Sequence, residues 1–166
     1  METNYIIFFV AALIPLVIRE IWYNEKVLGA ALAKANNLPG DTPQKMNRAL
    51  ELGLVYVLGL IIAVTLSGMV IHQSAIFSLL VGVEGFNDVN SEVNQYFTNF
   101  METYGDRHRS FGHGVLHGVF AGLLFVVPIL TTFGFTEKRK FKSTLIHGGF
   151  WLICLGLMGG LICAFA

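Results

Sequence analysis

Apolar residues along this chain gather into four blocks separated by polar stretches. They read YIIFFVAALIPLVIREIWY (5–23), LGLVYVLGLIIAVTLSGMVI (52–71), FGHGVLHGVFAGLLFVVPILTTF (111–133) and LIHGGFWLICLGLMGGLICAFA (145–166). Each is close to the ~20 residues that cross ~30 Å of hydrocarbon at ~1.5 Å per residue. The pattern predicts an all-α membrane protein, a single domain over 1–166, built as a four-helix bundle with spans at 5–23, 50–71, 111–133 and 144–165. The first block is expected to be retained rather than removed as a leader, because METN has no basic residue and the block ends in IREIWYNEK rather than at small residues.

The segments between the blocks are of two kinds. NEKVLGAALAKANNLPGDTPQKMNRA begins as a short amphipathic helix with Val27, Leu28, Ala31 and Leu32 on one side, predicted to lie on the membrane surface. Asn37, Pro39, Gly40 and Pro43 break it, and Asp41 or Thr42 before Pro43 suits the start of another helix. The segment 72–110 is longer. Its apolar AIFSLLVGV (75–83) is too short to span, and Val89, Val93, Tyr96, Phe97, Phe100, Met101 and Tyr104 follow at near-helical spacing. That predicts an amphipathic helix with Asp88 as N-cap, docked on the protein's own helices or the bilayer surface.

Charge then sets the orientation. Arg19, Lys26, Lys34, Lys45, Arg48, Lys138, Arg139, Lys140 and Lys142 all fall on one side of the four blocks, leaving only Arg107 and Arg109 on the other. Short cytoplasmic loops collect Lys and Arg, so 24–49 and 134–143 are predicted cytoplasmic, 72–110 periplasmic, and both termini outward in a bacterial inner membrane. A formal net charge of +0 with no basic face excludes nucleic acid as a partner and leaves the lipid bilayer. Cys154 and Cys163 lie on opposite faces of one helix and read as small packing residues.

Small residues supply the most specific pattern. Gly114, Gly118 and Gly122 share one stripe of the third block, Gly59, Ala63 and Ser67 mark the second, and Gly156 and Gly160 the fourth. In lipid such stripes let backbones approach and gain van der Waals contact, which predicts a compact bundle with the third helix central and one glycine face available to a second copy. A weak internal echo links ALIPLVIREIWYNEK to FVVPILTTFGFTEKRK, each passing a proline and leaving through an aromatic before Glu-Lys; it reads as chance similarity between apolar helices.

Candidate chemistry sits at the two ends of the blocks. His113 and His117 stand one helical turn apart, and with His72 and His108 they fall near the outer surface. Asp106 or Glu102 could join them, whereas His147 is about 20 Å away by helix rise. This makes His72, His113 and His117 a candidate metal or haem site, set against structural hydrogen bonding across helices. At the inner edge Arg19, Glu20, Glu51 and His147 form a candidate polar path, with Arg19 able to pair with Glu51. Trp22, Tyr23 and Trp151 fit the interfacial aromatic belt. No nucleophile with an adjacent base and no phosphate loop is present, which argues against an enzyme.

The early ALIPLVIREIWYNEKVLGAAL, the RSFGHGVLHGVFAGLLFVVPIL stretch and the final TEKRKFKSTLIHGGFWLICLGLMGGLICA resemble the small bacterial integral membrane proteins grouped as domain of unknown function 1761. The likeness is carried by Trp22-Tyr23 followed by Gly29, by the glycines and histidines of 112–118 and by Leu157-Met158-Gly159-Gly160, with Leu28-Gly29 and Leu32 where the family has FG-x-x-W. The resemblance implies a multi-spanning bacterial membrane protein and carries no activity.

Because packing signals dominate, the first functional expectation is a non-enzymatic accessory or packing component of a homo-oligomer or larger membrane complex, with no cofactor. The alternatives are a small transporter or channel using the inner polar residues, and a metal- or haem-binding protein using the outer histidines.

Overall fold

A computed structural model describes residues 3–36 and 46–166, and all regular structure among them is helical. In chain order the α-helices are α1 (Ile6–Ala11), α2 (Ile14–Trp22), α3 (Ala30–Asn36), α4 (Arg48–Val70), α5 (Gln73–Leu80), α6 (Glu92–Tyr104), α7 (Phe111–Ala121), α8 (Val127–Thr136) and α9 (Phe141–Phe165). Three helices are long and apolar enough to cross a membrane: α4, the continuous rod of α7 and α8 over Phe111–Thr136, and α9. The first block forms a fourth candidate only as part of a bent pair, in which Ile6–Trp22 and Glu25–Asn36 meet at 57°. The expected break at Asn37–Pro43 and helix start at Asp41 or Thr42 lie outside the described residues.

Both prolines within apolar blocks sit where the helix is interrupted. A proline lacks the N–H that would bond four residues back and its ring crowds that carbonyl. Pro15 lies in the first turn of α2, just after the break that ends α1 at Ala11. Pro128 opens α8 directly after a π-helical turn over Gly122–Val126, a local adjustment that absorbs the lost bond. Side-chain caps set other starts. Asn47 Oδ1 accepts from the Ala49 N–H at 2.9 Å, and Asn24 Oδ1 accepts from the Lys26 N–H at 2.9 Å at the turn leading to α3.

The central rod is α9, not the third block as its glycine stripe suggested. Of the apolar window of α9, 56% is buried, against 22% for α7–α8 and 17% for α4. The reason is that α9 packs α7, α8, α4, α1, α2 and α3 in turn, while α7 packs chiefly α9 and, less extensively, α4. Gly114, Gly118 and Gly159 form the closest seam: a Cβ on Gly118 would collide with the Leu155 carbonyl, and one on Gly114 with the Gly159 carbonyl. Gly122 abuts Leu152, Gly156 faces Val119 and Val115, and Gly160 lies under the Phe111 ring. These stripe glycines of α7 and α9 are thus engaged within one chain. Beside the seam, Phe8, Ala11, Ala63, Leu66, Val70, Leu155, Met158 and Ile162 make the buried apolar core.

The amphipathic segment between α4 and α7 folds as α5 and α6 packed together. Phe97 meets Phe86 and Phe77, with ring centroids 5.4 and 6.2 Å away, while Val89 and Tyr96 of the expected stripe point to the exterior. The N-cap is Ser91 rather than Asp88. Ser91 Oγ accepts from the Asn94 N–H at 3.2 Å and donates to the Gly85 carbonyl at 2.6 Å, whereas Asp88 closes its own turn on the Asn90 N–H at 3.0 Å. Gly85 holds a positive φ of 82° there, a conformation glycine adopts without strain.

Candidate metal site

Separate chain segments bring imidazoles to one end of the helices. α4 ends at Val70, and the next turn carries His72 into the start of α5. Ser110 caps α7, its Oγ accepting from the His113 N–H at 3.3 Å, and so sets the turn from which His113 and His117 project one above the other. The result sets His72 against a pair of histidines from a helix about 40 residues further along the chain. One ligand nitrogen from each of His72, His113 and His117 lies within 4.8 Å of the other two.

His72 Nε2 and His113 Nε2 share a hydrogen bond at 2.9 Å. Ring centroids are 5.0 Å apart for His72–His113, 4.9 Å for His72–His117 and 4.5 Å for His113–His117. His108 stands beside them, 4.9 Å from His113 and 6.1 Å from His72 by centroid. It holds a φ of 65°, a left-handed conformation uncommon for a residue with a Cβ. His113 and His117 are half-buried and His72 is exposed. Desolvation, followed by the neighbouring His117 and His108, holds the His72 pKa below the ordinary imidazole value.

Buried side chains hold this arrangement from behind. The Cys163 thiol of α9 lies 3.3 and 3.2 Å from the carbonyls of Val70 and His108, its one proton shared between them, which ties the end of α4 to the segment before α7. Gln73 Nε2 donates to the Arg107 carbonyl at 2.8 Å and the Tyr104 carbonyl at 3.4 Å. Arg109 donates to the Ala166 carbonyl. A cleft of about 360 Å³ opens next to the cluster, with His72, His108, Gln73, Tyr104 and Arg107 in its wall.

Of the sequence candidates, His72, His113 and His117 come together and His147 lies at the opposite end of α9. Among the described residues the convergent group contains neither Asp106 nor Glu102; Glu102 instead lines a separate cleft with Ser67 and Arg109. Sequence reasoning missed the anchoring roles of Cys163 and Gln73. A cysteine at an apolar helix position gives no signal of which carbonyls it will meet.

The other end carries a different network. Arg19 pairs with Glu51, and Arg48 pairs with Glu20 and, at 3.4 Å, with Glu51. His147 stands apart, its Nδ1 joined to Tyr23 Oη at 2.8 Å, and Trp22 Nε1 donates to the Ile146 carbonyl at 3.0 Å. Trp22 and Tyr23 therefore fasten α2 to α9. Apolar core residues Leu155, Met158 and Ile162 on α9 separate this network from the histidines.

A family described as a protein of unknown function, DUF1761, matches residues 6–163. The chain belongs to that family. The DUF1761 match spans every element that builds the histidine cluster, from α4 to Cys163 of α9. No curated protein and no solved structure matches the chain.

Proposed function

We propose that this DUF1761 protein is a non-enzymatic four-span protein of a bacterial inner membrane that binds one divalent first-row metal ion at its outer face through His72, His113 and His117. The observation that carries the reading is the approach of three imidazole nitrogens to within 4.8 Å of one another. An ion with bonds of about 2.0–2.1 Å needs its tetrahedral ligand nitrogens about 3.4 Å apart. Small ring movements bring the three there, with the His72–His113 hydrogen bond opening from 2.9 Å. Imidazole ligands suit zinc, copper, iron or nickel. Nitrogens converging on one point favour a single ion over haem, whose axial ligands must stand off a flat macrocycle.

The membrane part of the proposal rests on three candidate spans, with the bent Ile6–Asn36 pair as the fourth, and on nine basic residues lying on one side of them. On that orientation α5 and α6 form a periplasmic cap beside the metal site, and both termini face outward. Within a larger membrane complex or homo-oligomer the protein would be the metal-holding component.

The test is metal content of the full chain purified in detergent and reconstituted in nanodiscs. One equivalent of zinc retained by the native protein and lost in His72→Ala, His113→Ala and His117→Ala supports the proposal. A native protein that takes up no zinc, copper, nickel or iron after dialysis against each overturns it.

A further inference from the structure

We infer that His108 is the fourth ligand of this metal site, so that the bound ion is enclosed by four imidazoles rather than left with an open position. The inference rests on the three-histidine reading above and adds a residue that lies outside the convergent group. A tetrahedral ion with metal–nitrogen bonds of about 2.0–2.1 Å sets the centroids of its imidazole ligands about 5 Å apart. The centroid separations His72–His113, His72–His117, His113–His117 and His108–His113 run from 4.5 to 5.0 Å, and His72–His108 is 6.1 Å. By centroid separation His108 already stands as a ligand would from His113, and about 1 Å too far from His72. Its ring would have to turn about its side-chain bonds to bring a nitrogen into the convergent group of His72, His113 and His117.

The backbone at His108 is held for this purpose. A histidine with a φ of 65° is strained unless its surroundings fix it. Two partly buried contacts bear on it, the Cys163 thiol on the His108 carbonyl and Gln73 on the Arg107 carbonyl. The left-handed turn leaves the imidazole beside His113 and His72, with ring centroids 4.9 and 6.1 Å away. His108 and His72 also line the adjoining cleft.

Cobalt(II) distinguishes a closed four-nitrogen site from an open three-nitrogen one, because its visible absorption follows coordination and azide adds only where a position is free. The variants are His108→Asn and His108→Gly, since both residues accept the left-handed conformation without the imidazole; the Cys163 bond to the backbone carbonyl is retained in both. Native protein should give a cobalt spectrum insensitive to azide, and both variants should bind cobalt at least about tenfold more weakly with a spectrum that azide shifts. A native spectrum that azide shifts, or variants with the native affinity and spectrum, would overturn His108 as ligand while leaving the three-histidine site in place. Native protein that binds no cobalt would remove both.

Discussion

The two ends of this helical assembly handle polar groups in opposite ways. At one end unlike partners meet: Arg19 with Glu51, Arg48 with Glu20 and Glu51, Tyr23 with His147, and Trp22 with a carbonyl. Each of these named groups has a complement. At the other end like meets like, with four imidazoles gathered and a single hydrogen bond, His72 to His113, joining their rings among the described residues. A neutral imidazole carries one N–H donor and one acceptor lone pair, so rings joined by a single hydrogen bond keep lone pairs unused. The first end pairs opposites, and the second offers the donor set on which the metal proposal draws.

The comparison can be broken at the seam that supports both ends. Gly118→Leu places a side chain into the Leu155 carbonyl, where backbone and not a yielding side chain must shift. Folded, monodisperse protein on gel filtration in detergent should be lost, the largest effect anticipated. Gly112→Ala, with no neighbour within 4 Å of its would-be Cβ, should instead keep or raise the melting temperature, since alanine is favoured over glycine in a helix by roughly 0.5–1 kcal/mol. Equal behaviour of the two variants would refute the seam.

Next in size is the ligand end. His113→Ala should lower zinc affinity by at least about 100-fold, beyond what loss of a supporting contact causes, with helical circular dichroism unchanged. Undiminished zinc affinity in competition titrations would sever the cluster from metal binding.

A smaller change sharpens the contrast from the other side. Glu51→Gln removes the carboxylate shared by Arg19 and Arg48, so the melting temperature should fall by a few degrees while zinc affinity stays as in the native chain. Exposure of about a third of the Glu51 side chain keeps the penalty modest. A matching loss of zinc affinity would show that the two ends are coupled, contrary to their separation by the apolar core.

The smallest effect is the pH response of the metal-free protein. His72 has a folded pKa below its ordinary 6.5, so the unfolded chain binds the proton more readily than the fold does. Its contribution to stability is complete above pH 6.5 and declines as pH falls from there through the folded value. Thermal melts should show that decline in native protein and a shallower one in His72→Gln. Melting that rises on acidification would contradict the sign.

Much of this was legible in the sequence for reasons that are local. The four apolar blocks, the Arg19–Glu51 pairing and the meeting of His72 with His113 and His117 follow from span length and from which residues an up-and-down topology places at the same depth. Other features depend on contacts between distant elements. The glycine stripe of the third block marks a packing face but not which helix becomes central, and that position fell to α9. Asp88 and Ser91 are both good caps, and the choice went to Ser91 through its second bond to the Gly85 carbonyl.

What the amino-acid order determined alone is therefore the family, the helical class, the candidate spans and the end of the helices at which the paired histidines stand, since all of these depend on the order of residues along single segments. Only the tertiary structure decided that a thiol on α9 pins the backbone of His108 and the end of α4, and that Trp22 and Tyr23 clasp α9 instead of merely lying in a belt. Those contacts join residues 55 to 124 positions apart. No periodicity along one helix encodes the rotation that brings such partners face to face.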